Sequence, residues 1–208
     1  CSNTALRELI RRNMVSDRLE AIALSVHLVT TDVCSGEEVL LAAGATTDAV
    51  LASAAIPGVF PSVEIDGRYL VDGGIANNAA VSQAVALGAE RVFVLPSGYT
   101  CALDTPPATA LGSVLQALNL LIEQRLIHEV ASYSAQVDLR VLPPLCPLAV
   151  SSTDFGHAGE LINRARSETL RWLATCGGSR VNPERFLSLH AHRSSASGCG
   201  LGSGGRAA

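Results

Sequence analysis

The chain has 208 residues, enough for one domain with a substantial buried core. Its 48% apolar and 16% charged residues exclude a disordered or all-surface chain and suit an α/β protein with a buried sheet. The net charge of −4, with no basic run, excludes electrostatic binding to nucleic acid.

Residues 4–13 read as a short helix capped by Asn3 or Thr4, with Leu6, Leu9 and Ile10 on one side. Residues 21–31 are mostly apolar and rich in β-branched types, the pattern of a strand covered on both faces. Asp32 to Gly36 makes a turn, and Glu37 to Leu41 returns as an antiparallel strand. Thr46, Thr47 and Asp48 supply a cap and an early acid for a helix to about Ala55, which Pro57 and Gly58 end. Ile65-Asp66-Gly67-Arg68 is a hairpin turn, because Asp-Gly supplies the positive φ angles that such turns need. A strand over Arg68 to Val71 follows, and it stops at Asp72-Gly73-Gly74. Asn78 is placed to cap a helix over 79–87, closed by Gly88 in a left-handed conformation. Arg91 to Leu95 is the next buried strand. Strands and helices alternating at this spacing imply parallel strands with crossover helices.

A long helix spans about Ala108 to Ser134. Its first part carries no charge, yet Gly112, Ser113, Gln116 and Asn119 interrupt it. It reads as a core helix, with an interfacial lipid-facing helix as the alternative. Val137 to Leu142 is the last strand, and Asp154 to Cys176 is an amphipathic helix ended by Gly177-Gly178. Residues 1–176 form the domain; 177–208, with Ser, Gly and Ala dominating from Ser188, read as a disordered tail. The six cysteines are scattered without a C-x-x-C pair, as reduced thiols of a cytosolic protein would be. All 15 basic residues are Arg.

Asp72 is the principal candidate for chemistry. A carboxylate at the carboxyl end of a buried strand suits proton transfer to a bound substrate. Gly73 and Gly74 let the backbone turn sharply and approach that substrate. The competing structural role is a turn in which Asp72 satisfies backbone donors. Asn77 and Asn78 read as capping residues, and Pro57 and Pro61 as stiffeners of a loop beside the site. His157, at a helix start, reads as a surface or capping residue. His190 and His192 lack the partners that a metal site needs, so no metal and no cofactor are expected. A nucleotide-binding reading of the strand–Gly-Gly–helix at 68–87 fails for want of G-x-G-x-x-G spacing.

The segment from Ala49 to Pro61 (AVLASAAIPGVFP), then Asp66 to Gly74 (DGRYLVDGG), Asn77-Asn78 and Leu87-Gly88-Ala89 resembles the patatin-like phospholipases, the lipid acyl hydrolases. Val29-Thr30-Thr31-Asp32 with Ser35-Gly36-Glu37 is similar to the middle strand and turn of that family. The resemblance runs from about residue 4 to 175. It implies a three-layer α/β sandwich with a mainly parallel central sheet whose first strands are missing here. It also implies a Ser–Asp dyad, in which the Ser lies in a G-x-S-x-G elbow and the Asp in a D-G-G or D-G-A motif. Asp72, Gly73 and Gly74 match that motif. The sequence departs from the family at the nucleophile: no Ser has Gly both two residues before and two after it, and no glycine-rich oxyanion loop precedes residue 29.

The reading is therefore the C-terminal portion of a lipid acyl hydrolase, cut on its N-terminal side. It supplies the base but no nucleophile and is expected to be inactive alone. Lipid or ester substrates, transient membrane-surface contact and a cytoplasmic or membrane-peripheral location follow from the resemblance. The alternative is a non-catalytic module of the same fold that binds lipid or a partner.

Overall fold

The structure is a computed structural model that describes residues 2–97, 103, 105–146, 155–176 and 187. The tail expected over 177–208 lies outside these residues except for Leu187, as do His190 and His192.

Helix α1 (Thr4–Asn13) buries Ile10 against α2 (Thr46–Ser53). Between them lie β1 (Leu28–Asp32) and β2 (Glu38–Leu41). The hairpin strands β3 (Val63–Ile65) and β4 (Arg68–Asp72) follow. The four strands form one sheet in the order β2-β1-β4-β3. Asp66 and Gly67 take φ of 51° and 76°, the left-handed pair that a two-residue hairpin demands. The second half contains α3 (Val81–Ala86), β5 (Arg91–Val94), α4 (Ala110–Tyr133), β6 (Asp138–Val141) and α5 (Ala158–Cys176).

A mainly parallel central sheet is not seen among the described residues. Among the described residues the four-stranded sheet is antiparallel throughout, and only β5 and β6 pair in parallel. The cause lies in the connections. A short turn joins β1 to β2 and a two-residue turn joins β3 to β4, and neither has the length to cross over. Only β5 and β6 are separated by a long helix, and they alone fit the expected strand–helix–strand unit.

The strand expected over 21–31 is also shorter. Leu19–Ala21 is a 3₁₀ turn, 22–27 form no regular element, and β1 begins at Leu28. The neighbours β2 and β4 flank β1 only over 28–32, so the preceding residues have no strand to pair with, and Leu24 stays exposed.

Capping differs as well. Ala80, not Asn78, stands at the α3 N-cap with φ 51°, and Asn77 Oδ1 accepts the Ala80 N–H at 2.9 Å. Ala45 precedes α2 without a side-chain cap, and the buried Thr46 hydroxyl has no hydrogen-bond partner. Gly88 closes α3 with φ 89°, as expected.

Two hydrophobic clusters result. One joins Ile10, Leu51, Ala52, Val63 and Leu70. The other joins Val81, Val92, Val94, Leu126, Val130, Leu139, Val141 and Leu187. Helix α4 enters the second through the buried Leu126 and Val130, with the partly buried Ile127 and Tyr133 packed against it. The core-helix reading thus holds for its C-terminal half alone.

Candidate active site

Asp72 ends β4, where its residue pairs with Thr30 of β1. The backbone is anchored on both sides: the Asp72 N–H donates to the Ala55 carbonyl at 3.1 Å, and its carbonyl accepts from the Thr31 hydroxyl at 3.1 Å. The side chain is half-buried. Its Oδ1 accepts the Gly74 N–H at 2.7 Å, so Asp72 caps the 3₁₀ turn Gly73–Ile75. Among the described residues Oδ2 has no hydrogen-bond partner. One oxygen is fixed and the other remains available.

Gly73 is required by geometry. A Cβ there would collide with the Val29 carbonyl and stand 2.9 Å from Val29 Cβ. That carbonyl is itself fixed by the Ser53 hydroxyl at 2.8 Å. A Cβ on Gly74 would lie 3.1 Å from Asp72 Oδ1, 3.3 Å from Ile122 Cδ1 and 3.4 Å from Asn78 Oδ1. These contacts place α4 and Asn78 beside the carboxylate turn. The loop between Pro57 and Pro61 touches the same helix further toward its start, with Leu111 Cδ1 3.4 Å from a Cβ on Gly58.

Burial raises the Asp72 pKa above its ordinary value, and the Gly74 hydrogen bond opposes this only in part. The folded state thus holds this proton more tightly than the unfolded chain does. The stability contribution is full below the unfolded carboxyl range and is lost as pH rises through the folded value. Urea unfolding followed from about pH 3 to about pH 8 is expected to show Asp72→Asn gaining on the wild type as pH rises from about 4, then holding level once Asp72 is ionised. A pH-independent difference between the two proteins would contradict the raised affinity.

Contacts unpredicted by the sequence surround this turn. Asn77 is buried, and its amide donates to Ser82 Oγ at 2.8 Å and to the Glu38 carboxylate at 3.2 Å. It ties the segment after the glycines to β2. Glu123 on α4, next to Ile122 in sequence, is a second carboxyl whose pKa burial raises, with Asn119 donating to it at 3.4 Å. No motif flags it, because its environment arises only from how α4 packs. Asp32, at the end of β1, is buried, but its Oδ1 accepts the Cys34 and Ser35 amides. Like Asp72 it leaves Oδ2 without a hydrogen-bond partner among the described residues, and it differs in lying deeper, at 8% exposed, and in holding two turn amides rather than one.

His157 lies in the 3₁₀ turn before α5, its Nδ1 3.3 Å from Glu160 Oε2, in keeping with a residue at a helix start. Two surface hollows, of about 360 and 310 Å³, are lined by other residues than Asp72. No group of three or more metal-ligating side chains occurs among the described residues.

The family model for the patatin-like phospholipases matches residues 1–85, a span that includes the Asp72 turn. An uncharacterized NTE family protein of Mycobacterium bovis (strain ATCC BAA-935 / AF2122/97) is 26% identical over 155 residues, covering 69% of this chain and 26% of the relative. An uncharacterized NTE family protein of Mycobacterium tuberculosis (strain ATCC 25618 / H37Rv) is 35% identical over 77 residues, covering 37% of this chain and 21% of the relative. The chain spans about a quarter of the length of the first of these relatives. In its first 85 residues, then, the chain is similar to patatin-like phospholipases, and over a longer stretch to NTE family proteins.

Proposed function

We propose that this chain contributes the general base of a lipid acyl hydrolase of the patatin-like type. Residues 1–176 would be the C-terminal part of the hydrolase domain. The observation that carries this reading is Asp72: a half-buried carboxylate with raised proton affinity, one oxygen held by Gly74 and the other unengaged, inside the segment that the family model matches.

The chemistry follows from that carboxylate. A serine hydroxyl is a weak nucleophile until a base takes its proton. Asp72 Oδ2 takes it as the serine oxygen attacks the ester carbonyl of a lipid. The proton passes to the departing alkoxide, which leaves as an alcohol, and an acyl-serine remains. Water then attacks, gives its proton to Asp72, and releases the fatty acid as the serine regains its hydrogen. Amide donors that stabilise the oxyanion complete the site. The serine and those donors belong to a segment outside these 208 residues, because no G-x-S-x-G occurs within them.

The test is the protein translated together with the codons upstream of Cys1. It should hydrolyse a p-nitrophenyl ester and take up a fluorophosphonate on serine, whereas the 208 residues alone do neither. An upstream reading frame without a G-x-S-x-G segment would favour the non-catalytic module instead.

A further inference from the structure

Asn77 is 3% exposed, and both polar atoms of its side chain have partners. Its Oδ1 accepts the Ala80 N–H at 2.9 Å. Its Nδ2 donates to Ser82 Oγ at 2.8 Å and to the two Glu38 oxygens at 3.2 and 3.3 Å. A primary amide carries an acceptor on one arm and donors on the other, which is what these partners require. An aspartate here would set a second negative charge against the Glu38 carboxylate. An alanine would leave that carboxylate and the Ala80 N–H without the partner they have now. Ala80 holds φ 51°, a left-handed conformation that a residue with a Cβ keeps only under constraint, and the Asn77 oxygen supplies part of it.

Contacts lead from Asn77 to Asp72 by two routes. Along the chain, the Asn77 N–H donates to the Gly73 carbonyl at 2.7 Å and closes the turn in which the Gly74 N–H holds Asp72 Oδ1. Across the sheet, Glu38 stands opposite Thr31 in the pairing of β1 with β2, and the Thr31 hydroxyl donates to the Asp72 carbonyl. The two routes close a ring of Asp72, Gly73, Asn77, Glu38 and Thr31. Titratable groups on the elements around the turn include Asp32 on β1, Glu38 on β2, Asp48 on α2 and Glu123 on α4. None of them is a cause of the raised Asp72 proton affinity, which burial produces and the Gly74 N–H opposes. Whatever keeps Gly74 in place therefore decides how far the effect of burial is offset.

We propose that Asn77 is a positioning residue for Asp72: its amide, held between Glu38 and Ala80, fixes the turn whose Gly74 N–H aims the carboxylate. This rests on the hydrolase reading for its effect on turnover, and not for its effect on the carboxyl group itself.

An NMR titration of the 208-residue chain tests it. Two signals are followed: the Asp72 carboxyl carbon, identified by its loss in Asp72→Asn, and the Gly74 amide, whose shift responds to the Asp72 charge through their hydrogen bond. Asn77→Ala should titrate Asp72 at higher pH than the wild type and remove most of the Gly74 response. Val141→Ala, which opens a cavity in the other hydrophobic cluster, should lower Tm and change neither signal. Should Asn77→Ala fail to fold by circular dichroism, Glu38→Ala and Glu38→Gln decide the matter. The first should lose the Gly74 response, and the second should keep it, because a glutamine oxygen still accepts from Asn77. In the protein that carries the serine segment, Asn77→Ala should lower kcat about tenfold or more with KM unchanged, and move the acid limb of the rate profile to higher pH. A folded Asn77→Ala with the wild-type Asp72 midpoint overturns the proposal. So does a Val141→Ala that shifts the midpoint as far, a Glu38→Ala that keeps the full Gly74 response, or an active extended protein in which Asn77→Ala retains full kcat. A shifted titration without esterase activity in the extended wild type sinks the hydrolase reading alone.

Discussion

Replacing Asp72 with Asn, in the protein that carries the serine segment, is expected to lower kcat by about 10²–10⁴-fold, the range that a positioned general base contributes. Asparagine keeps the shape of the side chain, and its carbonyl oxygen can still accept the Gly74 N–H. What disappears is the ability to hold a proton on the other oxygen. KM should change little, since no substrate contact is removed, so the loss should be carried by kcat. The wild-type rate should rise with pH through the raised carboxyl value, because only the ionised form accepts a proton. A variant as active as the wild type would remove Asp72 from the mechanism and leave the turn with a purely structural part.

Gly73→Ala is the second large effect. The added methyl would fall on the Val29 carbonyl, which is backbone of the central strand β1 and is pinned by Ser53. Nothing flexible is there to yield. Overpacking of this kind costs about 2 kcal/mol or more, or roughly 4–8 °C in Tm for a domain of this size. Any relief must displace the turn from β1, so activity should fall with stability even though Gly73 carries no reacting group. Gly159→Ala is the control. That residue lies in α5 with nothing within 4 Å of the added carbon, so the change should be neutral or slightly stabilising. Differential scanning calorimetry of the three proteins decides the matter: equal melting temperatures for Gly73→Ala and the wild type would show that β1 accommodates the methyl.

The parts of the fold legible in the sequence are those that local chemistry dictates. Asp66-Gly67 specifies its hairpin through backbone dihedrals, Gly88 specifies a helix end in the same way, and the apolar run before Asp72 specifies a strand that stops at a carboxylate. Strand pairing is not local. The run over 21–31 has the composition of a central strand, but composition does not say how many residues its neighbours will cover, and β2 and β4 cover only five. Alternation of elements points to parallel pairing, whereas short turns make the larger sheet antiparallel. Asn78 has the chemistry of a cap, yet the backbone brings the Asn77 oxygen to Ala80 instead. The site divides along the same line. The Asp72 turn can be read from its residue types, while the Val29 contact of Gly73 and the half-buried carboxyl of Glu123 depend on chain segments that are distant in sequence or on helix packing.

Among the described residues the two hydrophobic clusters share no buried side chain, and in sequence the Asp72 turn falls between Leu70 of one and Val81 of the other. Local opening exposes far less apolar surface than global unfolding, so the packing of one cluster can loosen while the other holds. The carboxylate ends a strand of the larger sheet, and its turn is braced from β1 by Thr31 and from β2 through Asn77. Its geometry therefore depends on braces from two strands, and loosening of either is expected to reach the carboxylate before the chain unfolds.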